Sequence, residues 1–380
     1  MQKNNLTQLI NQVEQPTRTV DSASLLNRQY TLAKEMSLLF FILLMLIGCS
    51  PPSTPESTEP TSIKLMTHNS FAISEEVLAE FETMYNVKVD LLLSGDTGAA
   101  LNQAILSKDT PLADVFFGVD NSFLSRALEN QIFEPYNSPM LSAIPDALEL
   151  DGRHHLLPVD YGDVCLNYDK SWFAKKGIAP PTTLEDLIEP EYASLVVVEN
   201  PATSSPGLSF LLTTIAHFGE DGYLDYWQKL DNNDVLVVDS WNEAYYVEFS
   251  RYEGTRPLVV SYATSPPAEV LFSEEPLDDA PTASVLGDEA CFRQIEFVGI
   301  LVGTKQRALS EKLIDFMLDQ RFQEDIPLNM FVFPANETSA LPELFEQYGE
   351  QPANPASLSP SKISTNREAW INAWTETVLR

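Results

Sequence analysis

Strand and helix patterns alternate along most of this 380-residue chain, which predicts an α/β protein with two lobes. The length is sufficient for two lobes that each bury a core. Two long extended runs, Leu156–Tyr168 and Arg293–Val302, have the character of strands that cross from one lobe to the other. The alternation of strands and helices also predicts a mainly parallel sheet.

The segment before the first long run predicts three strands, each followed by a helix. The first helix begins at Ser74, a residue type that suits an N-cap, and carries Val77, Phe81 and Tyr85 at helical spacing. The predicted elements are strands Ser62–Thr67, Val87–Leu93 and Asp114–Gly118, and helices that begin at Ser74, span Thr97–Leu106 and end at Glu129.

The segment between the long runs contains the stretch Val238–Pro267, which reads as a loop, a helix and a buried strand. Trp241 opens the helix and Tyr262 closes the strand, so an aromatic residue stands at each junction. The other predicted elements are strands Leu195–Val198, Val235–Val238 and Ala283–Leu286, and helices Thr183–Leu187, Leu208–Phe218 and Gly222–Leu230. After the second run we expect helix Ser310–Leu318, extended segment Phe331–Pro334 and helix Arg367–Val378.

The charge balance is strongly acidic, with 23 Lys and Arg against 55 Asp and Glu and a net charge of −32. This balance argues against nucleic acid and anionic lipid surfaces as partners, because both are polyanions. It is compatible with a cationic ligand, although a solvated acidic surface explains most of it.

The N-terminus carries the pattern of a targeting segment. The run Met36–Gly48 is apolar, matches a signal-peptide core and is short for a membrane-spanning helix. It leads into Leu46-Ile47-Gly48-Cys49-Ser50, which resembles the lipobox of bacterial lipoproteins, so Cys49 is the predicted lipidation site. Prolines and serines follow at once and indicate a flexible tether.

These observations predict four parts of the chain. Residues 1–48 form the signal segment with the lipobox, and residues 49–61 form the tether. The first lobe combines residues 62–160 with 297–325, and the second combines 161–296 with 326–380. The protein is expected outside the cytoplasm, held to the membrane by lipid on Cys49.

The two remaining cysteines, Cys165 and Cys291, permit a disulfide in an extracytoplasmic protein, but nothing in the sequence sets their distance. The favoured expectation is two separate buried thiols. No CxxC motif or His/Cys cluster suggests zinc, and no common nucleophile, metalloprotease or nucleotide-binding motif is present. Catalysis therefore has little support, and a solute receptor is favoured.

Short motifs in a set order carry a family resemblance. They are Ala113–Val115 with Gly118–Asn121, Val159–Gly162, Thr203–Leu208, Trp241–Tyr245, Ser261–Pro266 and Arg367–Ile371. Taken together, they make the chain resemble the thiamine-binding subunits of ABC importers from about Ile63 to Arg380. The resemblance implies a type II periplasmic-binding-protein fold, in which two α/β lobes joined by crossing strands close over the ligand. It further implies a monomeric receptor that delivers thiamine or its phosphates to an ABC permease, with no cofactor and no metal.

The resemblance also implies an aromatic cage for the thiazolium cation and the flat aminopyrimidine. Trp241 and Tyr262 match cage residues of the family, and Phe331 stands where the family has Trp. Core packing is the alternative for each ring. Asn69 and His68 stand where the family tends to carry Asp and Tyr.

Further candidates surround this cage. Ala268 stands where another aromatic is expected, and Ser70 follows Asn69 in the same loop. Asp120 is expected to offset the cation or hold the aminopyrimidine, with helix capping as the alternative. Ser204 and Ser205 are candidates for the hydroxyethyl or phosphate end of the ligand, with helix capping by Ser205 as the alternative. Asp160 and Tyr161, expected on the cleft side of the crossing strand, are the remaining candidates.

Other ligands and activities stay open at this stage. Adjacent Tyr245 and Tyr246 resemble a ferric-iron ligand pair, although neighbouring helical residues point about 100° apart. A polyamine or another organic cation would also suit the acidic chain. A tethered thiaminase-like enzyme would use Cys165 as its nucleophile, and a purely structural lipoprotein would bind no solute.

Overall fold

The computed structural model describes residues 61–95 and 97–379, which belong to one compact unit. The predicted signal segment 1–48, the lipidation site Cys49 and the tether through residue 60 lie outside the described residues. The division into lobes 62–160 plus 297–325 and 161–296 plus 326–380 stays a prediction. Among the helices of the described part, none is both long enough and apolar enough to cross a membrane.

Within this described part, eleven strands join in one sheet. They are β1 Thr61–Thr67, β2 Val87–Leu93, β3 Val115–Asp120, β4 Phe133–Glu134, β5 Leu157–Asp169, β6 Val196–Glu199, β7 Leu236–Val238, β8 Leu258–Tyr262, β9 Thr282–Val285, β10 Phe292–Leu301 and β11 Phe333–Pro334.

The helices pack around this sheet. They are α1 Glu75–Tyr85, α2 Thr97–Leu106, α3 Leu124–Glu129, α4 Lys170–Lys176, α5 Ser205–Asn232, α6 Trp241–Glu243, α7 Ser265–Leu271, α8 Arg307–Leu318, α9 Gln320–Gln323, α10 Ile326–Met330, α11 Glu343–Tyr348 and α12 Pro360–Val378. A π-helical turn, Ala244–Glu248, continues α6, and short 3₁₀ turns cover Pro139–Ala143, Asp186–Ile188, Pro190–Tyr192 and Ser250–Tyr252.

The main path of the sheet runs β2-β1-β3-β10-β5-β8-β6-β7. The pairs β1–β2, β1–β3, β6–β7 and β6–β8 are parallel, whereas every pair made by β5 or β10 is antiparallel. The prediction of a mainly parallel sheet is therefore wrong. Strand–helix alternation reveals local crossovers such as the one through α1, but it does not reveal the distant partners of a long central strand.

The two predicted crossing strands are confirmed as strands, and they pair with each other at the centre of the sheet. Strand β10 contacts β3 on one side and β5 on the other, and β5 continues past β10 to pair with β8. The two long strands therefore connect the parallel set around β1 with the parallel set around β6.

The cysteines form a disulfide, so the expectation of two separate thiols is wrong. Pairing of β5 with β10 sets Val164 opposite Phe292, which makes Cys165 and Cys291 neighbours. Their Cα atoms lie 4.4 Å apart, and both residues are fully buried. The bond depends on strand register between segments separated by 126 residues, which the sequence pattern does not reveal.

Helix α5 begins at Ser205 and contains a break at Gly219, whose φ of 74° is left-handed. The break separates the two predicted helices, which are thereby confirmed. Gly207 in the first turn is required by a close approach, because a Cβ at that position would collide with the carbonyl group of Glu199 at the end of β6. This contact brings the N-terminus of α5 against the carboxyl end of β6.

The segment Phe331–Pro334 is only partly extended. Phe331 ends α10 with a left-handed φ of 55°, and the strand is limited to Phe333–Pro334. The predicted helix Thr183–Leu187 is replaced by the 3₁₀ turn Asp186–Ile188. Helices α4 and α7 were not predicted, because their seven-residue patterns are too short to show a helical period.

Candidate functional site

A cavity of about 330 Å³ opens where several strands and helices end. Its walls come from the loop after β1, the N-termini of α2, α5, α6 and α7, strand β10 and the turn after α10. Ligand sites of α/β sheets form outside the carboxyl ends of the strands, and small-molecule sites occupy roughly 300–1,000 Å³. Both the position and the size suit a small organic ligand.

Trp241 forms one wall and is held in place from two sides. It is half-buried at the start of α6, which is capped by the hydroxyl of Ser240. Its indole Nε1 donates to Ser261 Oγ at 3.0 Å, and its ring stacks on Tyr245 with centroids 5.0 Å apart. The indole is therefore oriented before any ligand arrives, with part of its surface open to the cavity.

Tyr262 lies at the end of β8 and also lines the cavity. Its hydroxyl donates to Gln294 Oε1 at 3.2 Å, and Gln294 Nε2 donates to Asp120 Oδ2 at 3.1 Å. Asp120 is fully buried behind Gln294 and does not line the cavity. Burial raises the pKa of Asp120 to about 6, although hydrogen bonds from Ser122 lower it.

Asp120 also holds the turn that leads into α3. Its Oδ1 accepts from the backbone N–H groups of Ser122 and Phe123, at 2.8 and 3.2 Å. The residue at the N-cap position itself is Phe123. The expected alternative, in which Asp120 is the N-cap, is therefore wrong: Asp120 stabilises the turn before the helix, and its influence on the cavity passes through Gln294.

Phe331, at the end of α10, also lines the cavity. Its ring contacts that of Phe272, with centroids 5.3 Å apart, and its carbonyl oxygen accepts from the hydroxyl of Thr264. Ala268 lies nearby on α7 and presents only a methyl group. Phe331, Phe272 and Ala268 therefore give the cavity an apolar patch, with more space than an aromatic ring at position 268 would leave.

Ser204 and Ser205 meet the cavity at the N-terminus of α5. Ser204 is the N-cap, because its Oγ accepts from the backbone N–H of Gly207 at 3.4 Å. The capping role expected for Ser205 is therefore wrong by one residue. A proline directly after Ser205 removes an N–H that the first turn does not need.

Three other predicted site residues lie away from the cavity wall. Asn69 is exposed, and its Oδ1 accepts from the backbone N–H of Gly95 at 3.1 Å. Tyr161 stacks on Phe333 at 5.5 Å and lies under a guanidinium group, and Asp160 is fully buried. Ser70 and His68, by contrast, line the cavity.

A buried carboxylate on α7 was missed from the sequence. Glu269 accepts from the hydroxyls of Tyr245 and Tyr252, at 2.8 Å each, and its other oxygen lies 3.2 Å from Arg251 Nε. Tyr245 is buried and its neighbour Tyr246 is half-exposed, and both line the cavity. The two tyrosines therefore differ in burial, as expected for neighbouring residues of a helix.

Gln294 and Glu296 were also missed as site residues. They are polar residues two positions apart on β10, on either side of Ile295, so they share one face of the sheet. That spacing is the signal that could have identified them. Across residues 61–95 and 97–379, no three His, Cys, Asp or Glu side chains are grouped so that they could hold a metal ion.

Similarity to known proteins extends over most of the chain. Residues 110–349 match the family of bacterial extracellular solute-binding proteins. The thiamine-binding periplasmic protein of Escherichia coli is 31% identical over 326 residues, which are 84% of this chain and 94% of that protein. The protein of the same name from Salmonella typhimurium is 30% identical over 343 residues, or 88% and 98% of the two chains. A solved periplasmic thiamin binding protein superposes with a TM-score of 0.73 at 28% identity, covering 84% and 96%.

Proposed function

The chain belongs to the bacterial extracellular solute-binding proteins, and we propose that it captures thiamine or a thiamine phosphate and delivers it to an ABC permease. The relatives named thiamine-binding periplasmic protein match nearly their whole length, which supports the same role here. Such a role is binding and transport rather than catalysis.

The single observation that carries this proposal is the aromatic wall of the cavity. Trp241, Tyr262 and Phe331 all line one space of about 330 Å³. Thiamine offers a thiazolium cation and a flat aminopyrimidine. A cation over an aromatic face gains about 0.5–2 kcal/mol, and flat rings stack favourably on aromatic side chains. The pre-oriented indole of Trp241 suits either ring.

The N-terminus of α5 suits the other end of the ligand. Ser204 and Ser205 lie in the wall at the positive end of a helix, where hydroxyls and backbone N–H groups favour anions. We propose that the hydroxyethyl or phosphate group of the ligand is bound there.

The alternative functions have weaker structural support. Cys165 is buried and bonded to Cys291, which removes the nucleophile on which a thiaminase-like activity would depend. A ferric site needs phenolate ligands, yet burial and the charge of Glu269 raise the pKa of Tyr245 well above its ordinary value. A polyamine would use the acidic groups of the cavity but would leave the stacking surface of Trp241 without a flat partner.

Localisation outside the cytoplasm and anchoring through Cys49 are part of the same proposal, as is a monomeric state. Labelling of expressing cells with a fatty-acid probe should modify the wild-type protein and leave the variant Cys49→Ala unmodified. Equal labelling of the two proteins would refute the anchor without affecting the ligand proposal.

Calorimetric titration tests the ligand directly. Thiamine, its monophosphate and its diphosphate should each be titrated into the protein, with Fe(III) and spermidine as competitors of a different chemistry. We expect heat and saturation with at least one thiamine compound. Saturation with Fe(III) or spermidine alone would replace the proposed ligand.

A further inference from the structure

Three carboxyl groups lie side by side across the central strands of the sheet. Glu296 on β10 is paired with Asp120 on β3 and with Asp160 on β5, so the three side chains share one face. Asp120 and Asp160 are fully buried, and Glu296 is almost buried but lines the cavity. We call Asp120, Asp160 and Glu296 the acid row. Like charges directly opposite one another destabilise a sheet, so this row needs compensation.

The carboxyl group of Asp120 is compensated by hydrogen-bond donors, whereas that of Asp160 is not. Asp120 accepts from Ser122 and Gln294, as described above. Among the described residues, neither oxygen of Asp160 has a donor within hydrogen-bond distance. The group close enough to bond with it is Glu296, which is another carboxyl. A hydrogen bond between the two carboxyls forms when one of them carries a proton.

The electrostatics agree with this geometry. Burial, followed by the charge of Glu296 and a hydrogen bond to it, raises the pKa of Asp160 well above its ordinary value. A fully buried pair of charged carboxylates would carry a large desolvation cost in addition to its mutual repulsion. A single proton held in the hydrogen bond between Asp160 and Glu296 removes both costs, and the raised pKa of Asp160 favours it.

Other titratable and charged groups face the row from each neighbouring element. His68, in the loop after β1, places Nε2 3.3 Å from Glu296 Oε1. Tyr262 on β8 and Gln294 on β10 border the row at the cavity. Glu199 on β6 interacts with Tyr262, and Arg367 on α12 interacts with Asp120. Among the described residues that line the cavity, none is an arginine or a lysine.

We propose that Glu296 is the counter-ion that selects a cationic ring in this cavity, and that the Asp160–Glu296 pair releases its shared proton to solvent when the cation binds. The pair changes from a monoanion to a dianion, and the positive charge of the ligand replaces that of the proton. This inference rests on the proposed capture of thiamine, whose thiazolium ring carries a fixed positive charge.

The affinity for a cation should consequently depend on pH. Over the pH range in which Asp160 and Glu296 of the ligand-free protein hold their shared proton, release of one proton per ligand raises the affinity by up to about tenfold per pH unit. Above that pH range both carboxyls are already ionised before the ligand binds, and the affinity becomes independent of pH. An uncharged ligand of similar shape should show no such slope.

Calorimetry of the full-length mature protein in buffers with different ionisation enthalpies counts the released protons. We expect wild-type protein to release close to one proton per thiamine at the acidic end of a pH series, and fewer protons as the pH rises. Glu296→Gln should bind thiamine at least tenfold more weakly, release no proton and keep its affinity for the uncharged aminopyrimidine half of the ligand. Asp160→Asn should also release no proton, and its affinity for thiamine should no longer depend on pH, because its amide can donate to an ionised Glu296.

Glu199→Gln is the matched control. Glu199 is another fully buried carboxyl without a described hydrogen-bond partner, and burial raises its pKa to about 8, but it does not line the cavity. This variant should keep both the affinity and the released proton. If circular dichroism shows that Glu296→Gln or Asp160→Asn is misfolded, the wild-type proton count and the other variant still test the inference.

Failure of this inference and failure of the proposed function give different results. Wild-type protein that binds thiamine without releasing a proton, or Glu296→Gln protein that releases as many protons as wild type, would overturn this inference alone. Protein that binds no thiamine compound at any pH would overturn the proposed function itself.

Discussion

Replacement of Trp241 with alanine removes the aromatic surface that is best positioned for the ligand. The indole is oriented by its hydrogen bond to Ser261 and by stacking on Tyr245, so little order is lost when a ligand contacts it. The variant loses a cation–π contact of about 0.5–2 kcal/mol and a stacking contact of about 0.5–1.5 kcal/mol. The sum, about 1–3.5 kcal/mol, corresponds to a dissociation constant roughly 5- to 400-fold higher.

Fluorescence and calorimetry measure this effect independently. Of the five tryptophans, Trp241 is the one that lines the cavity, so quenching by thiamine should originate mainly from it. Trp172→Ala is the matched control, because Trp172 is a half-buried indole on α4 outside the cavity. The control should keep both the quenching and the affinity. A Trp241→Ala protein that binds within twofold of wild type would refute the role of the aromatic wall.

Three further variants test the framework of the site. Replacement of both Cys165 and Cys291 by serine should lower the free energy of unfolding by about 2–5 kcal/mol, since the bond closes a long loop; an unchanged urea midpoint under oxidising conditions would argue against the bond. Ser204→Ala should cost about 1 kcal/mol of stability through the lost N-cap. Measured dissociation constants should show that it weakens the binding of thiamine phosphates more than that of thiamine. Equal weakening would contradict an anion site at the N-terminus of α5. Tyr252→Phe leaves Glu269 with one hydrogen bond fewer and should cost about 1–3 kcal/mol in thermal or urea unfolding; a neutral result would mean that water replaces the hydroxyl.

Local signals predict the regular parts of the first half of the chain closely. Strand Val87–Leu93 and helix Thr97–Leu106 have the predicted bounds. The helix predicted from Ser74 has that residue as its N-cap and spans Glu75–Tyr85. In these segments the apolar period, the cap and the breaker residues all lie within a few positions of one another, so no distant contact is needed to identify them.

Long-range pairing is the part that the sequence did not reveal. The antiparallel position of β10 between β3 and β5 depends on segments that are far apart in the chain. The Cys165–Cys291 bond and the acid row are both consequences of that register. A buried carboxyl such as Asp160 looks like any surface acid in the sequence, because its burial is decided by the strands that cover it.

The site was predicted in part through resemblance and in part from junction residues. Trp241, Tyr262, Phe331 and Ser204 do line one cavity, as a common site requires. Glu296 escaped notice because a charged residue in a strand usually faces solvent. Its position on the cavity side became evident from the sheet register.

A crystal structure of the mature protein with bound thiamine tests the central claim most directly. The proposed function predicts the ligand in the cavity beside Trp241 and Tyr262, with the hydroxyethyl group towards Ser204 and Ser205. The proposed role of Glu296 as the counter-ion further predicts that the thiazolium ring lies towards it. A ligand bound elsewhere, or one that makes no contact with Trp241 or Tyr262, would contradict the assignment of this cavity as the thiamine site.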